Sequence, residues 1–412
     1  MAARMTIAAD RSALAWRIGG MIACAALAWG ALVNAFADAG RARAPEAVLR
    51  FIPSDAGARA SYAERLMGKL GEPTTQEAIA DLIHGSLTYD ALNPKALRLQ
   101  GFVADAKGDH ARARRLVLLA ERASRRDPGA QLWLIEDRVA QNDIVGALRH
   151  YDTALNTVSQ TDSVLFPVLA KALSDTAVRQ AFVPIFRANH EWLPSFMSYW
   201  IESRNDPLSA AELVIAAKGF PRGERYRDLD TSLMLALADS GEFDTLRRLY
   251  VVLPSARRDG AARTDFAGPL INPRFVPIAW RLLNGPDTQA SFHAGSSNAT
   301  ILDALSAAGT RAVVARKLVY LQPGSHEVRL PVHFANSSRG GAVTLAAQCL
   351  AGKAAKPIGS SQISGSGLLT LRIAADAACA AYYLDIGVAG GDAENGLEAE
   401  IGAPSLVRVA GR

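Results

Sequence analysis

Two stretches of the chain carry the same arrangement of small, apolar and charged positions. "GDHARARRLVLLAERASRRDP" (108–128) and "NDIVGALRHYDTAL" (142–155) align at an interval of 34 residues, pairing Pro94 with Pro128, Gly108-Asp109 with Asn142-Asp143, Ala113 with Ala147 and Ala120 with Ala154. The pattern predicts helical hairpins: charge faces water, the Gly-Asp pair breaks the first helix, and proline opens the next unit at a first helical turn. "TTQEAIADLIHGSLTYDALNP" (74–94) reads as the last helix of a degenerate unit, and "SLMLALADSGEFDTLRRLYVVLP" (232–254) as two apolar helical runs around a Gly-Glu-Phe turn. Residues 163–203 are helical by pattern but out of register. Residues 58–259 therefore read as one continuous α-solenoid, with its core buried between neighbouring units and one long concave face.

After "PSARRDGAARTDFAGP" (254–269) the period changes. Short alternating runs rich in β-branched residues follow, among them "TRAVVARKLVYL", "HEVRLPVHF", "AVTLAAQCL" and "AYYLDIGVA". Pro323-Gly324 marks a turn between two strands, with His326, Val328, Leu330, Val332 and Phe334 on one face of the second. Residues 260–412 are thus expected to form an antiparallel β-sandwich. "GSSQISGSG" (359–367) and "GGDAENGLEAE" (390–400) read as loops.

At the other end, "IGGMIACAALAWGALVNAFA" (18–37) contains no charge and follows Arg4, Arg11 and Arg17. At 1.5 Å per residue it just spans a hydrocarbon core of about 30 Å. It reads as an uncleaved anchor, with residues 1–17 cytoplasmic, 38–57 a linker and the bulk of the chain periplasmic. The alternative is a cleaved signal, since Ala35-Phe36-Ala37 fits a small-x-small cleavage site. Arg41, Arg43 and Arg50 follow closely, so positive charge alone does not orient the segment.

Half the residues are hydrophobic and 21% are charged, an ordinary balance for a folded protein. A net charge of +5 over 412 residues is weak support for a polyanion partner, so the arginines read as solvated helix faces and no nucleic acid is expected. Besides Cys24 there are only Cys349 and Cys379. In an exported domain these suggest a disulfide, with two separate buried cysteines as the alternative.

The 34-residue hairpin resembles the tetratricopeptide repeat family, in which small residues occupy the close helix crossings. Here Gly101, Ala113, Ala120, Ala147 and Ala154 fall at such places, with Gly108 at the turn and Pro128 opening a unit. The family's usual tryptophan is replaced by Leu97 in one unit and by Gln131 in the next. The C-terminal third resembles jelly-roll modules of the carbohydrate-binding type, through "NPRFVPIAW" (272–280), "AAGTRAVV" (307–314) and "LQPG" (321–324). An anchor, degenerate repeats and a terminal jelly-roll together resemble accessory proteins of bacterial exopolysaccharide or envelope assembly.

Candidate chemistry is sparse. His84, His110 and His150 lie on separate predicted helices, and no nucleophile elbow, zinc helix or phosphate loop is present. Asp392, Glu394, Glu398 and Glu400 form an acidic cluster that reads as a solvated loop. "HEWLPSFMSYW" (190–200) alone mixes His, carboxylate and aromatic groups, and more simply packs a helix. Trp280 reads first as a core plug. Tyr382 and Tyr383 must face opposite sides of a strand. These three are the candidate glycan contacts.

The expected protein is a non-catalytic periplasmic scaffold, single-pass in the inner membrane and without cofactors. It would bind other envelope or polysaccharide-assembly proteins through the solenoid and a glycan through the sandwich. The alternative is a polysaccharide lyase or hydrolase with an accessory sandwich.

Overall fold

A computed structural model describes residues 2–69, 73–157, 162–295, 299–336, 340–392 and 395–409. Helices come first and two antiparallel sheets follow. The chain divides into two compact units, Met1–Thr161 and Asp162–Arg412.

The first unit is entirely helical in its described residues: α1 (Ala2–Arg43), α2 (Pro45–Phe51), α3 (Ala56–Leu66), α4 (Pro73–Tyr89), α5 (Pro94–Ala106), α6 (His110–Ala123), α7 (Pro128–Ala140) and α8 (Ile144–Thr157). Within α1, Gly19–Arg43 is long and apolar enough to cross a membrane. No linker follows it. Residues 38–57, expected to be one, continue α1, form α2 and begin α3.

The helices α3/α4, α5/α6 and α7/α8 pack as hairpins, and backbone geometry explains the 34-residue interval. Gly108 and Asn142 both adopt positive φ (81° and 57°), a region open to glycine and tolerated by asparagine. The next residue then turns its N–H back: Asp109 N donates to Ala104 O at 3.0 Å and Asp143 N to Arg138 O at 2.9 Å. The same two aspartates cap the following helices, accepting from Arg112 N (3.0 Å) and Gly146 N (2.9 Å). Pro94 and Pro128 occupy first turns behind the caps Asn93 and Asp127.

Ala113, Ala120, Ala147 and Ala154 are all buried. A Cβ on Gly101 would lie 2.7 Å from Val117 Cγ2, so α5 and α6 touch there as closely as side chains allow. Gln131 is also buried, its amide oxygen 3.0 Å from His150 Nδ1. A polar pair thus fills the position at which the resembled repeat family usually carries a tryptophan.

The second unit begins with α9 (Asp162–Ala172), α10 (Thr176–Ala188), α11 (Leu193–Glu202), α12 (Pro207–Ala217), α13 (Leu229–Ser240) and α14 (Phe243–Val252). Trp192, Phe196 and Trp200 are buried in ring contacts of 5.6–5.9 Å, so three of the four aromatics of 190–200 are core and Tyr199 is exposed. Short 3₁₀ turns carry the chain from 260 to 275, and the strands follow. They are β1 (Arg281–Leu282), β2 (Thr288–Ala294), β3 (Thr300–Ser306), β4 (Arg311–Val319), β5 (Gly324–Phe334), β6 (Ala342–Ala351), β7 (Ala354–Ile363), β8 (Gly367–Ala375), β9 (Ala381–Ala389), β10 (Leu397–Ile401) and β11 (Ser405–Arg408).

One sheet has the order β1-β4-β9-β6-β7; in the other, β3 joins β2 to β10, while β10 and β11 lie on β5, which also pairs with β8. Val314, Val328, Leu330, Val343, Leu345, Tyr382, Leu384 and Ile386 belong to the core between them. The turn at Pro323-Gly324 passes from one sheet to the other, because β4 and β5 are not partners. Its buried face is as the alternation implied: His326, Val328, Leu330 and Val332 are buried. Cys349 and Cys379 are joined by a disulfide.

The change from helix to strand and the division into units fall at different places, after Val252 and after Thr161. Polar contacts to backbone explain why helices 162–252 belong with the sandwich. Tyr320 Oη donates to Phe243 O (2.6 Å), and Thr231 Oγ1 donates to Arg274 O (2.7 Å). Arg274 pairs with the buried Asp230. Gly241, at φ 83°, sits against Gly352, where a Cβ would come within 2.5 Å of backbone. Lys317 is fully buried and donates to the carbonyls of Ile278 and Gly260, the latter at 3.4 Å. Burial pushes its ammonium down to about 7, against the opposing pull of the Asp265 carboxylate.

Two expectations follow. Ala113→Leu should cost about 1–3 kcal/mol by overpacking the α5/α6 crossing, read as a lowered Tm; an unchanged Tm would contradict the crossing. For Lys317, the native pKa lies below the unfolded value of about 10.4. Between about pH 7 and 10 the unfolded chain therefore holds more protons, and stability rises with pH, by at most about 1.4 kcal/mol per unit. Urea denaturation at pH 7.5 and 9.5 should show this rise in the wild type and its loss in Lys317→Met.

Candidate functional site

The outer face of the five-stranded sheet is built by strand alternation. Along β9, Tyr382, Leu384, Ile386 and Val388 point into the core, which leaves Tyr383, Asp385 and Gly387 on the other side. Register then sets their neighbours: Arg281, Arg316, Asp385, Ala346 and Ser360 form one row across β1, β4, β9, β6 and β7. Tyr383, Gln348 and Pro357 form the row on one side, and Val313, Gly387, Thr344 and Gln362 the row on the other. Register shifts at Val313/Ala315 and Ala347/Gln348 interrupt the ladders beside the central row and add local twist.

Asp385 is almost entirely buried, and three donors satisfy it. Arg316 grips it with two bonds, Nε to Oδ1 at 2.6 Å and Nη2 to Oδ2 at 2.8 Å. Gln348 Nε2 donates to Oδ2 at 2.8 Å. The same guanidinium lies 4.9 Å from the centre of the Tyr383 ring. The bidentate bond to Asp385 holds the Arg316 pKa above its ordinary value, burial opposing it. Burial raises the Tyr383 phenol, with Arg316 pulling the other way. Arginine, carboxylate and amide are thus joined by charge-assisted hydrogen bonds, with the guanidinium against the Tyr383 ring.

Beside it opens a cleft of about 580 Å³, within the range of small-molecule pockets. Gly387 and Ala346 keep its floor flat, while Arg311, Thr344, Gln348, Ser360 and Gln362 supply donors and acceptors along it. Among the described residues, no group of three or more His, Cys, Asp and Glu side chains is placed to hold a metal ion.

The residues singled out from sequence lie elsewhere, with one exception. Trp280 is buried, donating from Nε1 to Thr264 O at 2.8 Å and meeting Phe266 edge to face. Tyr382 is buried too, and its hydroxyl donates to Asp376 O and accepts from Asp376 N. Neither ring is open to a glycan. Tyr383 lies on the same face as the cleft, with the Arg316 guanidinium against its ring, but does not line it.

His84 and His110 are exposed, and His150 is buried. Of the acidic cluster, Glu394 lies outside the described residues and Asp392 is exposed in a turn. Glu398 and Glu400 sit on β10 rather than in a loop, alternating with buried Leu397, Ala399 and Ile401. The first part of 359–367 is likewise strand β7. Arg316, Asp385 and Gln348 were not found from sequence, since 69 and 37 positions separate Asp385 from its partners.

No family model and no curated protein matches the sequence. Among the solved structures that match is the Clostridium thermocellum N-terminal endo-1,4-beta-D-xylanase 10B, comprising CBM22-1 and GH10 modules complexed with xylohexaose. The two are 12% identical with a TM-score of 0.26, over 36% of this chain and 28% of that chain.

Proposed function

We propose that this protein is a non-catalytic, membrane-anchored adaptor of the bacterial envelope that binds a glycan strand on the outer face of its five-stranded sheet. The observation that carries the reading is the preformed Arg316–Asp385–Gln348 network beside an open, flat-floored cleft. Sugar hydroxyls both donate and accept, and Arg311, Thr344, Gln348, Ser360 and Gln362 would meet them from strands that the Arg316–Asp385 pair holds in place, which lowers the cost of ordering the site.

The helical hairpins, similar in interval and small-residue placement to tetratricopeptide repeats, would take partner proteins of envelope or exopolysaccharide assembly. The apolar α1 segment would hold the chain in the inner membrane with its bulk in the periplasm.

Binding of neutral and acidic oligosaccharides by the detergent-solubilised full chain, followed by calorimetry, tests the sheet. Gln362→Ala with Arg311→Ala, both on exposed positions, should weaken binding at least ten-fold while leaving Tm unchanged. Retention of no oligosaccharide by the wild type, or undiminished binding by the double variant, would refute the glycan reading.

A further inference from the structure

The join between α1 and the first helical hairpin is packed and hydrogen-bonded, and it leaves an aromatic residue exposed beside the end of the apolar run. The uncharged run 18–37 ends where α1 meets α2 and α3. Ala37 is buried in a small core with Val48 and Ala58. Gly40 makes this possible, since a Cβ there would stand 2.6 Å from Val48 Cγ2. One turn further, Arg41 donates to both carboxylate oxygens of Asp55 at 2.8–3.0 Å, and Asp55 caps α3 through Ala58 N at 2.7 Å. Arg65 reaches back from α3 to Glu46 at 3.1–3.2 Å and to the carbonyls of Ala42 and Arg43. These contacts fix α2 against the end of the apolar run.

Their consequence is the placement of Phe51. Its ring meets Phe36 edge to face, with centroids 5.7 Å apart, yet Phe51 remains 76% exposed. Phe36 is the penultimate residue of the uncharged run, so if α1 spans a bilayer this pair stands at its surface. Arg43 and Arg50, both exposed, flank it. Aromatic rings favour the membrane–water boundary, and each basic residue near an anionic surface adds attraction.

Resting on the reading of α1 as a membrane span, we infer that α2 is seated in the interface of an anionic phospholipid bilayer. Phe51 inserts beside Phe36, and Arg43 and Arg50 face the lipid phosphates. The anchor and the first hairpin then form one piece, so the hairpins stand on the membrane in a set orientation instead of swinging on a tether.

Nitroxide depth measurements test this on the full chain in phosphatidylcholine/phosphatidylglycerol vesicles. One label goes on the native thiol of Cys24; the others go on Phe51→Cys and on Val145→Cys, an exposed site on α8, each in a Cys24→Ser background. The expected result is a Cys24 label accessible to oxygen and shielded from a polar nickel complex, a position-51 label of intermediate depth, and a position-145 label in water. Adding Arg50→Glu should move the position-51 label outward without changing the same substitution's Cys24 reading. A Cys24 label within the bilayer with position 51 as nickel-accessible as position 145 would overturn the seat alone. Nickel access at Cys24 would overturn the membrane span and the seat together. A position-51 label indifferent to Arg50→Glu would overturn the role of headgroup charge.

Discussion

A buried lysine joins the sheets of the second unit to the irregular segment that precedes them. The chain between α14 and β1 has little regular structure, so its backbone carbonyls must find partners away from water. Lys317 supplies them for Gly260 and Ile278, while the backbone of the same region of β4 answers in kind: Leu318 N donates to Pro277 O at 2.7 Å and Tyr320 N to Ala261 O at 2.8 Å. The cost is a lysine kept from water, which burial brings close to neutrality at physiological pH. An apolar side chain would instead leave the Ile278 carbonyl without that donor, while Gly260 O would keep the bond it accepts from Arg263 N at 3.3 Å.

Strand geometry ties that interaction to the candidate site. Arg316 and Lys317 are consecutive on β4, so they point to opposite faces of the sheet. Lys317 secures the segment beneath; Arg316 clamps Asp385 on the outer face. Any shift of β4 would disturb both. The disulfide between Cys349 and Cys379 ties β6, which contributes Gln348, to the segment leading into β9, which contributes Asp385. The groups facing the cleft are thus held by strands whose positions are fixed from behind.

The first unit solves a different problem with local means. The α5/α6 and α7/α8 hairpins repeat because both use the same backbone event, a residue at positive φ followed by an aspartate that both closes one helix and caps the next. The close crossing at Gly101 is specific to one hairpin, since the position 34 residues later is the buried Ile135. The interval is preserved where the turn demands it and relaxed where packing can adjust.

Local rules were therefore readable from the chain itself. Turn residues, caps, buried alanines, the uncharged N-terminal run and the alternation of His326 to Val332 need only neighbours within a turn or a strand, and sequence spacing records those. The order of helices before antiparallel sheets followed from the same signals. Other features depended on residues brought together from afar. Sequence showed that Tyr382 and Tyr383 face opposite ways, but register decided that Asp385 would meet Arg316 and Gln348. The expected linker at 38–57 became a packed joint through Arg41, Asp55 and Arg65, and the boundary expected near 260 was bridged by bonds to carbonyls. Backbone carbonyls are the same in every residue, so a contact to one leaves no mark in the sequence, and only the tertiary structure could place it.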